Sequence, residues 1–186
     1  MPRASPFRGR TSGRLPRQNS GPMEFTSKRY DFRNKDADYA SLAEELNSLL
    51  AGEQDFIANA ANTSALLFDA LPDINWAGFY FLRNGELVVG PFQGKPACVR
   101  IPLGKGVCGT AAASRKTIVV RDVHEFPGHI ACDAASQSEI VVPLLRGDEL
   151  LGVLDIDSPS VGRFDDADRR GIERLATLFV AASRGA

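Results

Sequence analysis

The spacing of apolar positions changes along the chain, and each change marks an element. From about Asp38, Leu42, Leu46, Leu49 and Leu50 share one face at helical spacing, and Gly52 supplies a stop. A second helical face gathers Phe56, Ile57, Ala60, Ala61, Ser64, Leu67 and Phe68. It ends at Leu71-Pro72-Asp73, because proline disfavours helix at the residue before it. The period then shortens to two. Asn75 to Leu82 reads as an aromatic strand, with Trp76, Gly78 and Tyr80 on one face and Ala77, Phe79 and Phe81 on the other. Arg83-Asn84-Gly85-Glu86 carries a hairpin signal, and Leu87 to Val89 returns as the partner strand.

Gly90, Pro91, Gly94 and Pro96 mark a loop, which leads to a short strand at Val99 to Ile101. Gly104-Lys105-Gly106 precedes a small-residue helix, about Val107 to Ser114, and Thr117 to Arg121 is a further strand. An irregular stretch from Asp122 to Ser138 holds both histidines and Cys132. Two apolar strands, Ile140 to Leu145 and Leu150 to Asp157, follow, joined by Arg146-Gly147-Asp148-Glu149. The last helix starts after Asp165, a favourable N-cap, and buries Ile172, Leu175, Ala176 and Phe179. Helices at both ends, mostly antiparallel strands and one crossover helix predict an α+β sandwich. Its sheet and terminal helices share one core, while long loops cover a pocket on the other face.

Composition narrows the picture. A chain of 186 residues suits one compact domain. With 22 basic against 23 acidic side chains, charge gives no reason to expect nucleic acid or an anionic membrane as partner. No apolar run approaches the roughly 20 residues that a membrane helix needs. Residues 1–22 carry Arg3, Arg8, Arg10, Arg14 and Arg17, no acid and few apolar groups, so a disordered basic extension is expected there. The 3 cysteines are an odd number, which fits a reducing compartment, the cytoplasm, better than a secreted disulfide scaffold.

The thiols are the first candidates for chemistry. Cys98 follows a Gly/Pro-rich loop and Cys132 sits among Ala, Asp, Ser and Gln, so neither lies in an apolar periodic stretch. Cys108 opens a helix, where a lowered thiol pKa and an ordinary small core residue are both natural readings. Zinc at His124, His129 and Cys132 is the competing chemistry. Their spacing matches no familiar pairing such as Cys-x2-Cys, so no metal is expected.

Carboxylates come second. Strict alternation from Leu150 puts Leu151, Val153, Asp155 and Asp157 on one face, with Leu150, Gly152, Leu154 and Ile156 against the core. Acids are depleted in strands, so an enclosed pair would require a cation or hydrogen-bond donors; an end in open solvent is the plain alternative. Whether Glu139 joins them depends on the hairpin. A two-residue turn alone sets Glu139 opposite Ile156, whereas a three-residue loop or a bulge brings it opposite Asp155 or Asp157.

Four stretches resemble the free methionine-(R)-sulfoxide reductases, a GAF-domain family. They are Gly90-Pro91-Phe92-Gln93-Gly94-Lys95-Pro96-Ala97-Cys98, Gly104-Lys105-Gly106-Val107-Cys108-Gly109, His129-Ile130-Ala131-Cys132-Asp133, and Leu154-Asp155-Ile156-Asp157-Ser158. The similarity spans about Tyr30 to Val180, with no departure at the motif positions. It implies one GAF-like catalytic domain over residues 30–186, and the disordered basic extension, taken over residues 1–29, is the one part outside it.

It also implies that Cys132 attacks the sulfoxide sulfur, that Cys98 resolves the resulting sulfenic acid as a disulfide, and that Cys108 takes a less defined part in recycling. Trp76 and Tyr80 match the walls around the substrate's methyl end, and Glu139, Asp155 and Asp157 the acids that hold its ammonium and face its oxygen. The implied reductant is an external dithiol, thioredoxin, with no bound cofactor. A homodimer stays open, and a non-catalytic GAF sensor of small molecules is the alternative function.

Overall fold

The computed structural model describes residues 28, 30–128 and 134–184. The expected basic extension, His129 and Cys132 therefore lie outside the described residues, Lys28 apart. In chain order the elements are α1 (Lys35–Leu49), α2 (Phe56–Ala70), β1 (Trp76–Arg83), β2 (Glu86–Gly94), β3 (Arg100–Pro102), α3 (Gly106–Ser114), β4 (Ile118–Val120), β5 (Ser138–Arg146), β6 (Glu149–Ser158) and α4 (Asp166–Ala182). A single 3-10 turn, Val123–Glu125, lies between β4 and β5.

Polar caps set the helix starts. The Asn34 side chain accepts from the Ala37 N–H, which places the start of α1 ahead of Asp38. Asp55 accepts from the N–H groups of Ile57 and Ala58 to open α2. Asp165 and Asp168 form a reciprocal capping box at α4. Asn84 and Gly85 both take positive φ in the turn from β1 to β2, as the Asn-Gly signal requires.

The six strands lie in the order β3-β2-β1-β6-β5-β4, and each neighbouring pair is antiparallel. On one face α2 and α4 bury the larger core, including Ala77, Phe79, Phe81, Ile140, Val142, Leu154 and Ile156. Phe79 and Phe179 meet there at 4.6 Å between ring centroids. Against this layer α1 packs on α4, with the Tyr39 ring so close to Gly171 that an added Cβ would lie 2.2 Å from it. On the opposite face α3 and its flanking loops cover a smaller cluster with Tyr80, Leu87, Val107, Ala111, Val141 and Val153.

Three details depart from the pattern reading. First, β2 continues through the Gly/Pro stretch to Gly94, with a register irregularity opposite Phe79 absorbing it. Second, the inner face of α2 is rotated. Ile57 and Phe68 are exposed, while Asn59 and Thr63 are fully buried. Hydrogen bonds offset part of this burial: Asn59 Nδ2 donates to Ser183 Oγ at 3.1 Å, and the Thr63 hydroxyl to the Asn59 carbonyl at 2.7 Å, while Asn59 Oδ1 is buried without a partner.

Third, strict alternation fails at the start of β6. Arg146 pairs with Glu149 across the Gly147-Asp148 turn and Leu145 with Leu150, but Leu144 pairs with Gly152. Leu151 is thus an extra residue, and it turns into the helix-side core while Leu150 packs against the pocket side. Gly152 permits the step, having φ of 154° and lying where a Cβ would be 2.1 Å from the Tyr80 carbonyl oxygen. The consequence for the site is direct. A two-residue turn plus a bulge sets Glu139 opposite Asp157, which the turn alone would not.

Candidate active site

The pocket lies between the sheet and α3, beside the chain that joins β2 to β3. It is lined by Trp76, Tyr80, Lys95, Pro96, Ala97, Ile101, Gly106, Val107, Cys108, Ser136, Glu139, Asp155 and Asp157. Strand pairing brings the predicted residues together. Trp76 sits opposite Asp157 and Gly78 opposite Asp155 on β6, and Glu139 flanks Asp157 from the other side.

The aromatic wall is a stack. Trp76 lies between Tyr80 and Phe92, with ring centroids 5.8 Å and 5.2 Å away. Phe92 and the Trp76 ring also occupy the space over Gly78, where a Cβ would lie 2.3 Å from Phe92 Cβ. The glycine therefore makes room for this stack. The Trp76 indole N–H donates to the Lys95 carbonyl at 3.1 Å, tying the segment leading to Cys98 onto the wall.

The acids lie in a dry place. Glu139 and Asp155 are buried, and Asp157 is half-buried. Burial, then the neighbouring Asp155 and Asp157, pushes the Glu139 carboxyl well above the usual carboxylate range. Burial likewise raises Asp155 to about 7, against hydrogen bonds from Cys108 and Glu139 that favour its charged form. Asp155 Oδ1 is buried with no hydrogen-bond partner. Asp155 lines the pocket, and a buried carboxylate oxygen without a partner suits a donor carried by a ligand. The sulfur of Cys108 and one oxygen each of Glu139 and Asp155 lie within 4.8 Å of one another. Asp157 lines the same pocket beside them, and an alkylammonium, with both charge and N–H donors, suits such an acidic lining.

The three cysteines differ. Cys108 is a buried free thiol in the first turn of α3. Cys98 is half-buried and disulfide-bonded. Cys132 lies outside the described residues, so the expected approach of Cys98 and Cys132 falls there too. His124 is exposed and its Nδ1 lies 2.8 Å from Asp122; its expected companions in a zinc site, His129 and Cys132, are outside the described residues.

The sequence does not single out Ser136 or Ile101 as pocket residues. Ser136 is buried and accepts from Asn75 Nδ2 at 3.1 Å. A lone serine in an irregular stretch gives no signal of this, whereas Lys95, Pro96, Ala97, Gly106 and Val107 belong to the stretches that resemble the family.

Among the described residues no helix is long and apolar enough to cross a membrane. Residues 58–182 match the family described as GAF domain. The free methionine-R-sulfoxide reductase of Escherichia coli K12 is 59% identical over 142 residues, covering 76% of this chain and 86% of that protein. A crystal structure described as a putative GAF sensor protein from Burkholderia vietnamiensis is 65% identical, with a TM-score of 0.78 over 80% of this chain and 95% of the other. The free methionine-R-sulfoxide reductase of Neisseria meningitidis, solved in complex with its substrate, is 44% identical with a TM-score of 0.77, covering 80% of this chain and 90% of the other.

Proposed function

Because this chain belongs to the free methionine-R-sulfoxide reductases, a family of GAF-domain oxidoreductases, we propose that it reduces free L-methionine-(R)-sulfoxide to methionine in the pocket under α3. The observation that carries this reading is one pocket holding both a buried acid with an unpartnered oxygen, Asp155, and a stacked aromatic wall, Trp76 and Tyr80. A free amino acid with an apolar thioether end needs both. Asp155 and Asp157 take the ammonium, and the rings take the methyl group.

The chemistry follows from the cysteines. The Cys132 sulfur attacks the sulfoxide sulfur; the S–O oxygen passes to Cys132 as a sulfenic acid, and methionine leaves. The Cys98 thiol then displaces that oxygen, forming a Cys98–Cys132 disulfide and releasing water. Cys98 being disulfide-bonded while Cys108 is free supports this pairing. A thioredoxin-type dithiol returns both thiols by exchange. Loss of the sulfoxide oxygen consumes protons, and a carboxyl held neutral at ordinary pH is a suitable source. Glu139, pushed up by burial and by two neighbouring acids, has that property.

The test is methionine release from free L-methionine-(R)-sulfoxide, with and without a dithiol. Wild type should give about one methionine per chain without reductant and continuous turnover with it. Cys132→Ser should give neither. Full activity in that variant would remove the nucleophile assignment, and equal reduction of the S epimer would remove the stereochemical one. Binding without any reduction by wild type would instead favour a small-molecule sensor.

A further inference from the structure

We propose that Cys108 is a positioning residue of the substrate pocket and not a redox thiol: its S–H donates to Glu139 and holds that carboxyl against Asp155. The inference rests on the functional reading above but concerns a residue that reading leaves without a step.

Its place in the fold is the first observation. Cys108 lies in the first turn of α3, where a helix N-terminus would ordinarily favour a thiolate. Here it is buried in a cluster with Val107, Ala111, Val141 and Val153, and its charged neighbours are carboxyls. Burial first, then Asp155 and Glu139, pushes the thiol well above its usual range. Such a thiol stays protonated and is a poor nucleophile, yet it remains a donor.

The hydrogen bonds give that donor a target. Cys108 Sγ lies 3.8 Å from Glu139 Oε1 and donates to it. Glu139 in turn hydrogen-bonds Asp155, whose Oδ1 stays unpartnered. Thiol, Glu139 and Asp155 thus form one closed cluster, the thiol also within hydrogen-bonding reach of Asp155.

The third observation is immobility. An added Cβ on Gly109 would lie 2.3 Å from the Pro102 carbonyl oxygen, and the Gly104 N–H donates to the Gly109 carbonyl at 2.7 Å. This turn of α3 is pressed against the chain before it, so Cys108 is fixed toward the acids. A resolving thiol must instead meet another sulfur, with Cα atoms within about 7 Å.

The test compares wild type with Cys108→Ser and Cys108→Ala on free L-methionine-(R)-sulfoxide. Both variants should release about one methionine per chain without reductant and keep kcat with a dithiol within about threefold. Cys108→Ala should raise KM roughly three- to tenfold, the loss of one weak donor, and Cys108→Ser should restore it. Two outcomes overturn the proposal: loss of dithiol-driven turnover in the serine variant while its single turnover survives, or an unchanged KM in the alanine variant.

Should neither variant fold, the S–H stretching band of wild type, read by infrared spectroscopy, decides. A band displaced by hydrogen bonding that moves back in Glu139→Ala supports the donor, and a band at the free-thiol position overturns it. Wild type that makes no methionine would remove the functional reading and leave this spectroscopic result standing.

Discussion

The two faces of the central sheet are built from alternate residues of the same strands, yet they carry opposite properties. On the helix side Ala77, Phe79, Phe81, Ile140, Leu154 and Ile156 are closed over by α2 and α4. One step along each strand, Trp76, Tyr80, Glu139, Asp155 and Asp157 line a pocket. A fully buried Phe, Leu or Ile stabilises the fold by about 1.5–3 kcal/mol, whereas a buried acid without a counter-charge opposes it. The helix side thus holds the larger apolar core, while the pocket side sets a smaller one beside its acids, with Asp155 Oδ1 buried and without a hydrogen-bond partner. The strand's period of two keeps stability and chemistry apart.

The largest effect should come from the sealed face. Phe79→Ala should cost about 3–5 kcal/mol in denaturant unfolding, because its ring packs against Phe81 and Phe179 and leaves a cavity. The folded fraction should keep KM near that of wild type. A small stability loss with a large KM change would contradict the division between faces.

A smaller effect, of opposite character, should follow on the pocket face. Asp155→Asn removes a charge from a crowded set, so stability should hold or rise. Substrate binding, read by calorimetry with the sulfoxide, should weaken by about 1.5–3 kcal/mol, the usual weight of a hydrogen bond to a charged group. Unchanged binding would remove Asp155 from the ammonium site.

The smallest effect is on pH dependence. The folded Asp155 carboxyl is raised to about 7 from an ordinary 3.8, so between these values the folded protein holds a proton that the unfolded chain has lost. Its stabilising contribution is therefore present below about pH 4 and is lost as pH rises through about 7. Wild-type Tm should fall more steeply than that of Asp155→Asn between about pH 5 and about pH 8. Parallel curves would show that burial does not act on this carboxyl.

Much of this division was legible in the sequence. The alternation of Trp76 and Tyr80 against Phe79 and Phe81, the Asn84-Gly85 turn and the Asp165 cap each rest on local rules. The alignment of Glu139 with Asp157 does not. It needs Leu151 to be an extra residue, and Gly152 to accept a backbone angle that brings it against the Tyr80 carbonyl, a contact across strands. On α2, Phe56, Ala60, Ser64 and Leu67 are buried as expected, but Asn59 and Thr63 were missed because polar residues enter the core only with partners: Thr63 bonds within its own helix, and Asn59 reaches Ser183 far along the chain. Ser136 escaped notice because nothing about its neighbours in sequence points to a pocket.

The central claim is that this pocket recognises a free amino acid by its ammonium. The most direct measurement compares kcat/KM for L-methionine-(R)-sulfoxide with that for its N-acetyl derivative, whose sulfoxide is identical and whose charge is gone. The account predicts a loss of about a hundredfold or more on acetylation, because Asp155 and Asp157 would face an uncharged amide. Equal reduction of the two compounds would contradict it.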